Sequence, residues 1–297
     1  MTIIEILVAL AVVTVLLDLG LTRLYKNPKT PHTATPAECG IAFQEIAFPT
    51  RNGCRLYGWW MPAQGETAEA APVLILVHGW GRNVERMLPY IQNLHARGYH
   101  LLAFDARNHG SSDSDGHSSL PKFAEDIRAA IDFVGTLRAA NAERIGIVGV
   151  SLGGAAAIYA AAHDPRIRSV VTIGAFAHPG EIMRLEFQKR HLPYFPLVWL
   201  MFEYIQFKIG ARFDQIAPMN NIGKASARIL LIHGEQDVVI PVEQAKKLKQ
   251  AGDPERVVLR VLPARGHSDC HLEDGFWQNV DTFLRQTLFG EPVGRRC

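Results

Sequence analysis

Short apolar runs alternate with amphipathic segments along most of this chain. Val73 to Val77 is wholly apolar, as expected for a strand that is buried on both faces of a parallel sheet. Strands are predicted at Ile41 to Phe48, Leu56 to Met61, Val73 to Val77, Leu101 to Phe104, Ile145 to Val150, Val170 to Ile173, Ile229 to Ile232 and Val257 to Val261, with a hairpin turn at Asn52-Gly53. Helices are predicted at about Val84 to Arg97, Lys122 to Ala140, Ala155 to His163, Val242 to Gln250 and Phe276 to Leu288. This alternation predicts an α/β fold, with a mostly parallel central sheet and helices on both faces.

The first 24 residues form a separate apolar segment. Ile6 to Leu17 carries no charge, and Glu5 and Asp18 flank it. A membrane-spanning helix needs about 20 mainly apolar residues, so we interpret residues 1–24 as an N-terminal membrane anchor. A helix lying on the membrane surface is the alternative, and a cleaved signal is disfavoured because no basic residue precedes the run. Basic residues follow the run, which predicts a catalytic domain on the cytoplasmic side. Residues 25–40, rich in proline and threonine, are predicted to be a linker.

The amino-acid composition limits which partners and bound groups are expected. The net charge of +2 comes from 31 basic and 29 acidic residues spread along the chain, so nucleic acid is not expected as a partner. The four cysteines show no metal-ligand spacing, and a bridge between Cys39 and Cys54 would need an oxidising compartment. His267 and His271 flank Cys270, but no further ligands converge on them. We therefore expect no metal and no cofactor.

The segment Gly149-Val150-Ser151-Leu152-Gly153 joins a predicted buried strand to a predicted helix. Gly149 and Gly153 leave room for a sharp turn that presents the Ser151 hydroxyl outward, and the Leu152 N–H lies at the helix start, where it can stabilise negative charge. This arrangement predicts a nucleophile with one oxyanion-hole donor. The motif alone is common, and a glycine-rich turn with a solvated serine is the alternative, so the context decides.

A second glycine-bracketed turn, His78-Gly79-Trp80-Gly81, follows the strand ending at Val77. Ligands of open α/β sheets bind at the carboxyl ends of the strands. The backbone N–H of Trp80 is therefore the candidate for the second oxyanion-hole donor. For the His78 side chain we favour a structural role within its own loop.

An acid and a histidine follow two later strands. Asp237 lies just past the strand Ile229 to Ile232, and His267 lies past the last predicted strand, beside Gly266. Glu235 is the competing acid, but the apolar residues after Asp237 fix that segment against the fold. The chain order of nucleophile, acid and histidine is that of a hydrolytic triad carried by a parallel sheet.

These segments carry a specific resemblance. The blocks are His78-Gly79-Trp80-Gly81, Asp105-Ala106-Arg107-Asn108-His109-Gly110-Ser111-Ser112, Gly149-Val150-Ser151-Leu152-Gly153-Gly154, His233-Gly234-Glu235-Gln236-Asp237 and Gly266-His267-Ser268. Over about residues 41–290 the chain resembles the α/β-hydrolase superfamily, in particular membrane-anchored esterases and the catalytic domain of prolyl oligopeptidases. The resemblance implies Ser151 as nucleophile, Asp237 as acid and His267 as base. It assigns the loop containing His109 to shaping the fold near the site.

Residues 177–226 form an aromatic-rich insertion between two predicted strands. It contains Phe187, Tyr194, Phe195, Trp199, Phe202, Tyr204, Phe207 and Phe213. We interpret it as a cap inserted in a hydrolase domain of residues 41–290, followed by a tail of residues 291–297. Phe187, Trp199 and Phe202 are predicted to line an acyl pocket. Core packing of the insertion's own helices, or contact with a membrane, are the alternatives.

The resulting functional prediction is a cofactor-free serine hydrolase. It would cleave a carboxyl ester with an apolar acyl part, in a small-molecule or lipid-like substrate, through an acyl-enzyme. A thioester, a peptide or transfer to another acceptor stays open, because the triad does not choose among them. A non-catalytic membrane-tethered scaffold is the alternative from another class. The oligomeric state is left open.

Overall fold

A single eight-stranded sheet organises the chain in the computed structural model, which describes residues 2–24, 29–65, 70–137 and 141–290. The strands are β1 (Gln44–Pro49), β2 (Arg55–Met61), β3 (Pro72–Val77), β4 (His100–Phe104), β5 (Asn141–Val150), β6 (Ile167–Ile173), β7 (Arg228–Gly234) and β8 (Val257–Leu262). Their order is β1-β2-β4-β3-β5-β6-β7-β8. Strand β2 runs antiparallel to β1 and β4, and the remaining pairs are parallel. The predicted mostly parallel sheet is confirmed.

The helices lie between the strands as predicted, with shifted ends. They are α1 (Ile3–Leu24), α2 (Leu88–His95), α3 (Leu120–Val134), α4 (Leu152–Ala161), α5 (Pro179–Lys189), α6 (Trp199–Ile209), α7 (Phe213–Ile216), α8 (Pro218–Asn221), α9 (Glu243–Ala251) and α10 (Phe276–Leu288). The predicted helix from Val84 begins instead with a 3₁₀ turn, Val84–Met87, before α2. Helix α3 starts earlier than predicted because Ser119 caps it, its Oγ accepting from the Lys122 N–H at 3.4 Å. Residues 138–140 of that prediction lie outside the described residues.

The β1–β2 hairpin turns where the Asn-Gly pair predicts. Asn52 and Gly53 have φ of 59° and 71°, and the strands pair from Pro49 with Arg55 onward. Asparagine and glycine are the residues that adopt a positive φ most readily. The local sequence therefore sets the register of this sheet edge.

Strand β3 shows how the sheet separates two layers of core. Val73, Ile75 and Val77 pack on the face covered by α3, α4 and the cap helices. Leu74 and Leu76 pack on the opposite face, with α2 and α10. All of these side chains are fully buried. Burial on both faces explains why this strand is a continuous apolar run rather than an alternating one.

Helix α1 has most of its apolar side chains between Ile3 and Leu19 exposed. Over Ile3–Gly20 its mean hydropathy is 2.5, and none of this stretch is buried inside the protein. By length and composition, α1 could cross a membrane or serve as a signal sequence.

Residues 29–35, which we call the strap, are held against the hydrolase domain. His32 Nε2 lies 2.9 Å from Asp105 Oδ2, and the ring stacks on Tyr57 with 5.1 Å between centroids. The N–H and hydroxyl of Thr33 each donate to the Glu85 carboxylate at 2.7 Å. The linker boundaries stay a prediction, with residues 25–28 outside the described residues. In the described part, however, the chain is tied to the domain rather than free.

We expect the His32 contact to stabilise the fold in a pH-dependent way. The hydrogen bond to Asp105 raises the pKa of His32 above its ordinary value of 6.5. The free energy that the charged His32 contributes to folding is therefore fully present at pH values below the pKa of His32 in the unfolded chain. It is lost as the pH rises through the higher pKa of His32 in the folded protein. His32→Ala should lower the free energy of unfolding by about 1–3 kcal/mol at acidic pH.

Thermal unfolding of the detergent-solubilised full chain at several pH values between 5.5 and 8.5, about the range in which a histidine titrates, checks this prediction. The difference in stability to unfolding between wild type and His32→Ala should become smaller towards alkaline pH. It should not disappear, because the stacking of His32 on Tyr57 does not depend on charge. His163→Ala, at an exposed position two residues past the end of α4, is the control. A gap for His32→Ala that does not change with pH would contradict the expectation.

Candidate active site

Ser151 occupies a strained turn between β5 and α4. Its φ and ψ are 54° and −120°, and its N–H donates to the Ile173 carbonyl at 2.8 Å. A Cβ on Gly149 would lie 2.5 Å from the Gly153 carbonyl oxygen, and one on Gly153 would lie 2.4 Å from that of Val77. No side chain fits at these distances. The glycines are therefore required by close backbone contact, as the motif predicts.

Asp237 and His267 form a hydrogen-bonded pair at the same edge of the sheet. His267 Nδ1 lies 2.7 Å from Asp237 Oδ2. The other oxygen, Oδ1, accepts from the N–H groups of Val239 and Ile240 at 2.9 and 2.8 Å. Burial raises the pKa of Asp237, but hydrogen bonds from His233, His267 and the Ile240 N–H outweigh it, so the net pKa lies well below the ordinary value. Asp237 is thus an ionised carboxylate that fixes the tautomer of His267, with the proton on Nδ1 and Nε2 left to accept.

Glu235, the competing acid, does not share this environment. Its side chain is exposed, and its backbone N–H pairs with the Leu262 carbonyl at 2.9 Å. Asp237 is 5% exposed. The burial and contacts of the two carboxylates therefore favour Asp237 as the partner of His267.

Gly174 brings the serine and the histidine into one neighbourhood. This residue follows Ile173, the acceptor of the Ser151 N–H, and its own N–H donates to Ile232 at 2.9 Å. A Cβ at Gly174 would lie 3.1 Å from His267 Cε1, and its φ of 65° also favours glycine. The imidazole thus packs against the backbone next to the serine. In the sequence, Gly174 is recognisable only as a glycine directly after an apolar strand, which does not by itself indicate a site residue.

The turn after β3 packs directly against the serine. A Cβ on Gly79 would lie 3.1 Å from Ser151 Cβ. His78 is fully buried, with Nδ1 2.7 Å from the Gly79 carbonyl oxygen, while its Nε2 accepts from the Ala106 N–H at 3.0 Å. Both nitrogens are therefore occupied by backbone groups, in agreement with a structural role for this side chain.

His109 holds the other end of the same turn. Its Nε2 accepts from the Gly81 N–H at 3.2 Å, and its Nδ1 lies 2.9 Å from the Arg107 carbonyl oxygen. Burial lowers the pKa of His109 to about 3, so the imidazole stays neutral at ordinary pH. The half-exposed Trp80, whose N–H is the predicted second donor, lies between two backbone positions fixed in this way. The loop carrying His109 thus shapes the site, as the resemblance implies.

Asp105 connects these turns to the strap. Its carboxylate is fully buried and accepts from the N–H groups of Val84 and Ser111 at 2.7 and 2.8 Å, in addition to His32. Burial raises the pKa of Asp105, but the hydrogen bonds from His32 and the Ser111 N–H outweigh it, so the net pKa lies below the ordinary value. The ionised carboxylate therefore joins three segments around the candidate site. The residues next to His32 in the sequence do not indicate its contact with Asp105.

The described residues offer no candidate metal centre. Among residues 2–24, 29–65, 70–137 and 141–290, no group of three or more histidine, cysteine, aspartate or glutamate side chains could hold a metal ion. The His271 ring lies 5.9 Å from the Tyr90 ring, in an aromatic cluster on the α10 side of the sheet.

The insertion forms helices α5 to α8 beside the Asp237 loop. Gln244 of α9 fixes its start: the side-chain oxygen accepts from the Ala177 N–H at 2.9 Å, and the nitrogen donates to Glu181 at 2.6 Å. At the other end of α5, Lys189 Nζ donates to the Val238 carbonyl at 3.2 Å. The first cap helix is thus tied at both ends to the segments that follow β6 and β7.

The three predicted pocket residues lie in two different environments. Phe187 and Phe202 are 2% and 8% exposed, and Phe202 packs edge-on against Phe213 with 5.4 Å between centroids. Trp199 is 41% exposed and lies 6.0 Å from the ring of Phe195. The burial of Phe187 and Phe202 favours a role in the core of the cap. A pocket role stays a prediction, and of the three residues Trp199 has the most surface for a substrate to contact.

Comparison with known proteins agrees with this architecture. A sequence profile described as the alpha/beta hydrolase fold matches residues 72–199. The uncharacterized protein YfhR of Salmonella typhimurium is 27% identical over 253 residues, which is 84% of this chain and 82% of that protein. The thiohydrolase aneE of Aspergillus aculeatus is 30% identical over 134 residues, covering 44% of this chain and 41% of that protein. The esterase Pf2001 of Pyrococcus furiosus has a TM-score of 0.69 at 21% identity, covering 88% of this chain and 97% of that one.

The sheet order, the helices on both faces and the turn at Ser151 define the α/β-hydrolase fold. The protein therefore has the α/β-hydrolase fold, and the profile match over residues 72–199 supports a hydrolase.

Proposed function

We propose that this protein is a serine hydrolase in which Ser151 is the nucleophile, His267 the general base and Asp237 the acid that orients it. The observation that carries the proposal is the 2.7 Å contact between His267 Nδ1 and Asp237 Oδ2, beside the backbone next to a strained, outward-facing serine. A buried carboxylate, an imidazole with a free Nε2 and a serine at a strand-to-helix turn are the three parts that acyl transfer needs.

In the first step, Ser151 Oγ attacks the substrate carbonyl carbon while its proton passes to His267 Nε2. The N–H groups of Leu152 and Trp80 would stabilise the resulting oxyanion, with Leu152 at the positive end of the α4 dipole. Collapse of the tetrahedral intermediate breaks the bond to the leaving group, which takes the proton from His267. Water then attacks the acyl-enzyme by the same route, releasing the acid and restoring Ser151.

The proposed substrate is a carboxyl ester with an apolar acyl part. The structural likeness to the esterase Pf2001 and the aromatic cap beside the Asp237 loop support an ester. The partial likeness to the thiohydrolase aneE keeps a thioester as the second candidate, since both substrates present the same carbonyl to the serine. An amide substrate and transfer to another acceptor would use the same three residues, whereas a non-catalytic scaffold would not react with a serine-directed probe.

We also propose that α1 is a membrane anchor. Its exposed apolar surface over Ile3–Gly20 supports this assignment, because such a surface is stabilised in hydrocarbon rather than in water. The catalytic domain is proposed to lie on the cytoplasmic side, on the basis of the basic residues that follow the apolar run.

Ser151→Ala should abolish labelling by a fluorophosphonate probe and reduce ester turnover by about 10⁴ to 10⁶-fold. The fold should survive, since the hydroxyl has no role in the contacts that hold the turn. Labelling of wild type distinguishes an active hydrolase from a scaffold, because only an activated serine reacts. Turnover by Ser151→Ala at the wild-type rate would remove Ser151 as nucleophile.

Asp237→Asn should reduce kcat severely, by about 10⁴-fold, because an amide in place of the carboxylate favours the wrong tautomer of the histidine. Glu235→Gln is the matched control two residues away and should have little effect, since that side chain is exposed. Steady-state kinetics of the two variants on one ester check the assignment. The opposite ranking would transfer the acid role to Glu235.

Trp199→Ala and Phe202→Ala should have different effects. Phe202→Ala should lower the free energy of unfolding by about 3–5 kcal/mol, because its ring is part of the cap core. Trp199→Ala should barely change stability but should shift the preferred acyl length, since each methylene buried against the indole contributes up to about 0.8 kcal/mol. Unfolding curves and rates for a series of acyl lengths check both. An unchanged length profile for Trp199→Ala would remove it from the pocket.

The full chain should sediment with membranes and stay there through high salt and alkaline carbonate. Release by salt would instead indicate a helix lying on the surface. Protease protection of vesicles of known orientation tests the proposed cytoplasmic location of the domain.

A further inference from the structure

The end of α1 is joined to the cap. Asp18 Oδ1 accepts from the Tyr204 hydroxyl at 2.9 Å and pairs with Lys208 Nζ at 3.1 Å. Tyr204 and Lys208 are one turn apart on α6, so they form one side of that helix. The helix proposed to enter the membrane is therefore fastened to the cap, rather than to the opposite layer formed by α2 and α10.

The same part of the cap exposes large apolar side chains. We define the outer cap face as the exposed residues Leu192, Tyr194, Phe195, Leu197, Leu200 and Phe207. Phe207 is 79% exposed and Phe195 is 73% exposed. Leu200 lies one turn before Tyr204, and Phe207 lies three residues after it, so both flank the contact with α1. An exposed apolar patch of this kind marks an interaction surface.

The charge of Asp18 limits how deep in a membrane its contact with α6 can lie. A carboxylate is costly in the hydrocarbon core, so an anchor helix with Asp18 near one end would place that residue at the membrane surface. Tyrosine and lysine are the side chains that commonly occupy this level, where a polar tip reaches water and the rest stays apolar. Tyr204 and Lys208, bonded to Asp18, would then lie at the same depth. The neighbouring apolar side chains of α6 would reach the lipid.

We propose that the outer cap face docks into the lipid bilayer beside α1, and that the site beneath the cap takes its substrate from that bilayer. The second half rests on the ester hydrolase function and on the anchor proposed above. Lipid is the occupant favoured here, because the exposed apolar surface of α1 continues into the patch through the Asp18 contact. The acyl chain of a substrate in the bilayer would then pass under the cap to the Asp237 loop. Helix α5 of the same cap contacts this loop through Lys189.

A fluorescent label at position 207 tests the docking. In the full chain, with Cys39 and Cys297 replaced by serine, Phe207→Cys is labelled with an environment-sensitive dye and reconstituted into phosphatidylcholine vesicles. Gln278→Cys, at an exposed polar position on α10, is the matched control. Spin-labelled lipid should quench the label at 207 and leave the label at 278 unaffected, while aqueous iodide should do the reverse. Iodide quenching of both labels alike would overturn the docking, and so would protection of position 207 from both quenchers, which would indicate a second copy of the chain.

A kinetic measurement tests the substrate route. The double variant Leu200→Ser with Phe207→Ser should lower turnover of a long-chain ester dissolved in the vesicles by about tenfold or more. Turnover of a water-soluble acetyl ester and fluorophosphonate labelling of Ser151 should stay unchanged. Val258→Ser, at an exposed apolar position on the edge strand β8, is the control. An unchanged long-chain rate, or an equal fall on both esters, would overturn the route. Absence of any ester turnover in wild type would reject the ester assignment while leaving the result at position 207 valid.

Discussion

Close backbone packing around the β5–α4 turn is the constraint on which the rest of the candidate site depends. The hypothetical Cβ contacts of 2.4 and 2.5 Å at Gly153 and Gly149 mean that β3, β5 and α4 meet there with backbone against backbone. This approach holds Ser151 at a φ of 54°, which a residue with a side chain adopts at an energetic disadvantage. The surrounding sheet and helix keep the turn in this conformation.

Electrostatics around this turn assign different states to its histidines. His78 and His109 are buried, and backbone groups occupy both nitrogens of each ring, so burial keeps them neutral. His267, whose side chain is 17% exposed, contacts an ionised carboxylate through Nδ1. Of these three histidines, only His267 is a candidate base, because only its ring contacts the Asp237 carboxylate rather than backbone groups on both nitrogens.

The periphery of the site is tied to the N-terminal region at two places. His32 of the strap contacts Asp105, which also holds the turns after β3 and β4, and Asp18 of α1 contacts α6 of the cap. Both contacts join segments more than seventy residues apart in the chain. The described N-terminal segments are therefore joined by hydrogen bonds to the loops after β3 and β4 and to the cap.

The sequence alone determined the sheet, the turn at Ser151 and the candidate triad. Buried strands are recognisable as apolar runs, and the carboxyl ends of parallel strands lie at one edge of the sheet. The sequence alone therefore predicts that Ser151, Asp237 and His267 lie at that edge. The helix ends were less well predicted. They depend on local hydrogen bonds, such as the one by which the Ser119 side chain begins α3 and those of the 3₁₀ turn at Val84–Met87.

Only the tertiary structure decided which environment each remaining residue occupies. Phe187 and Trp199 are equally apolar in the sequence, yet one is in the cap core and the other is half exposed. His32, Gly174 and Gln244 gained their roles from partners brought near by folding. These contacts join segments that are distant in the sequence, and the fold of the whole sheet determines which segments meet. The pattern of polar and apolar residues around each position therefore cannot indicate its partner.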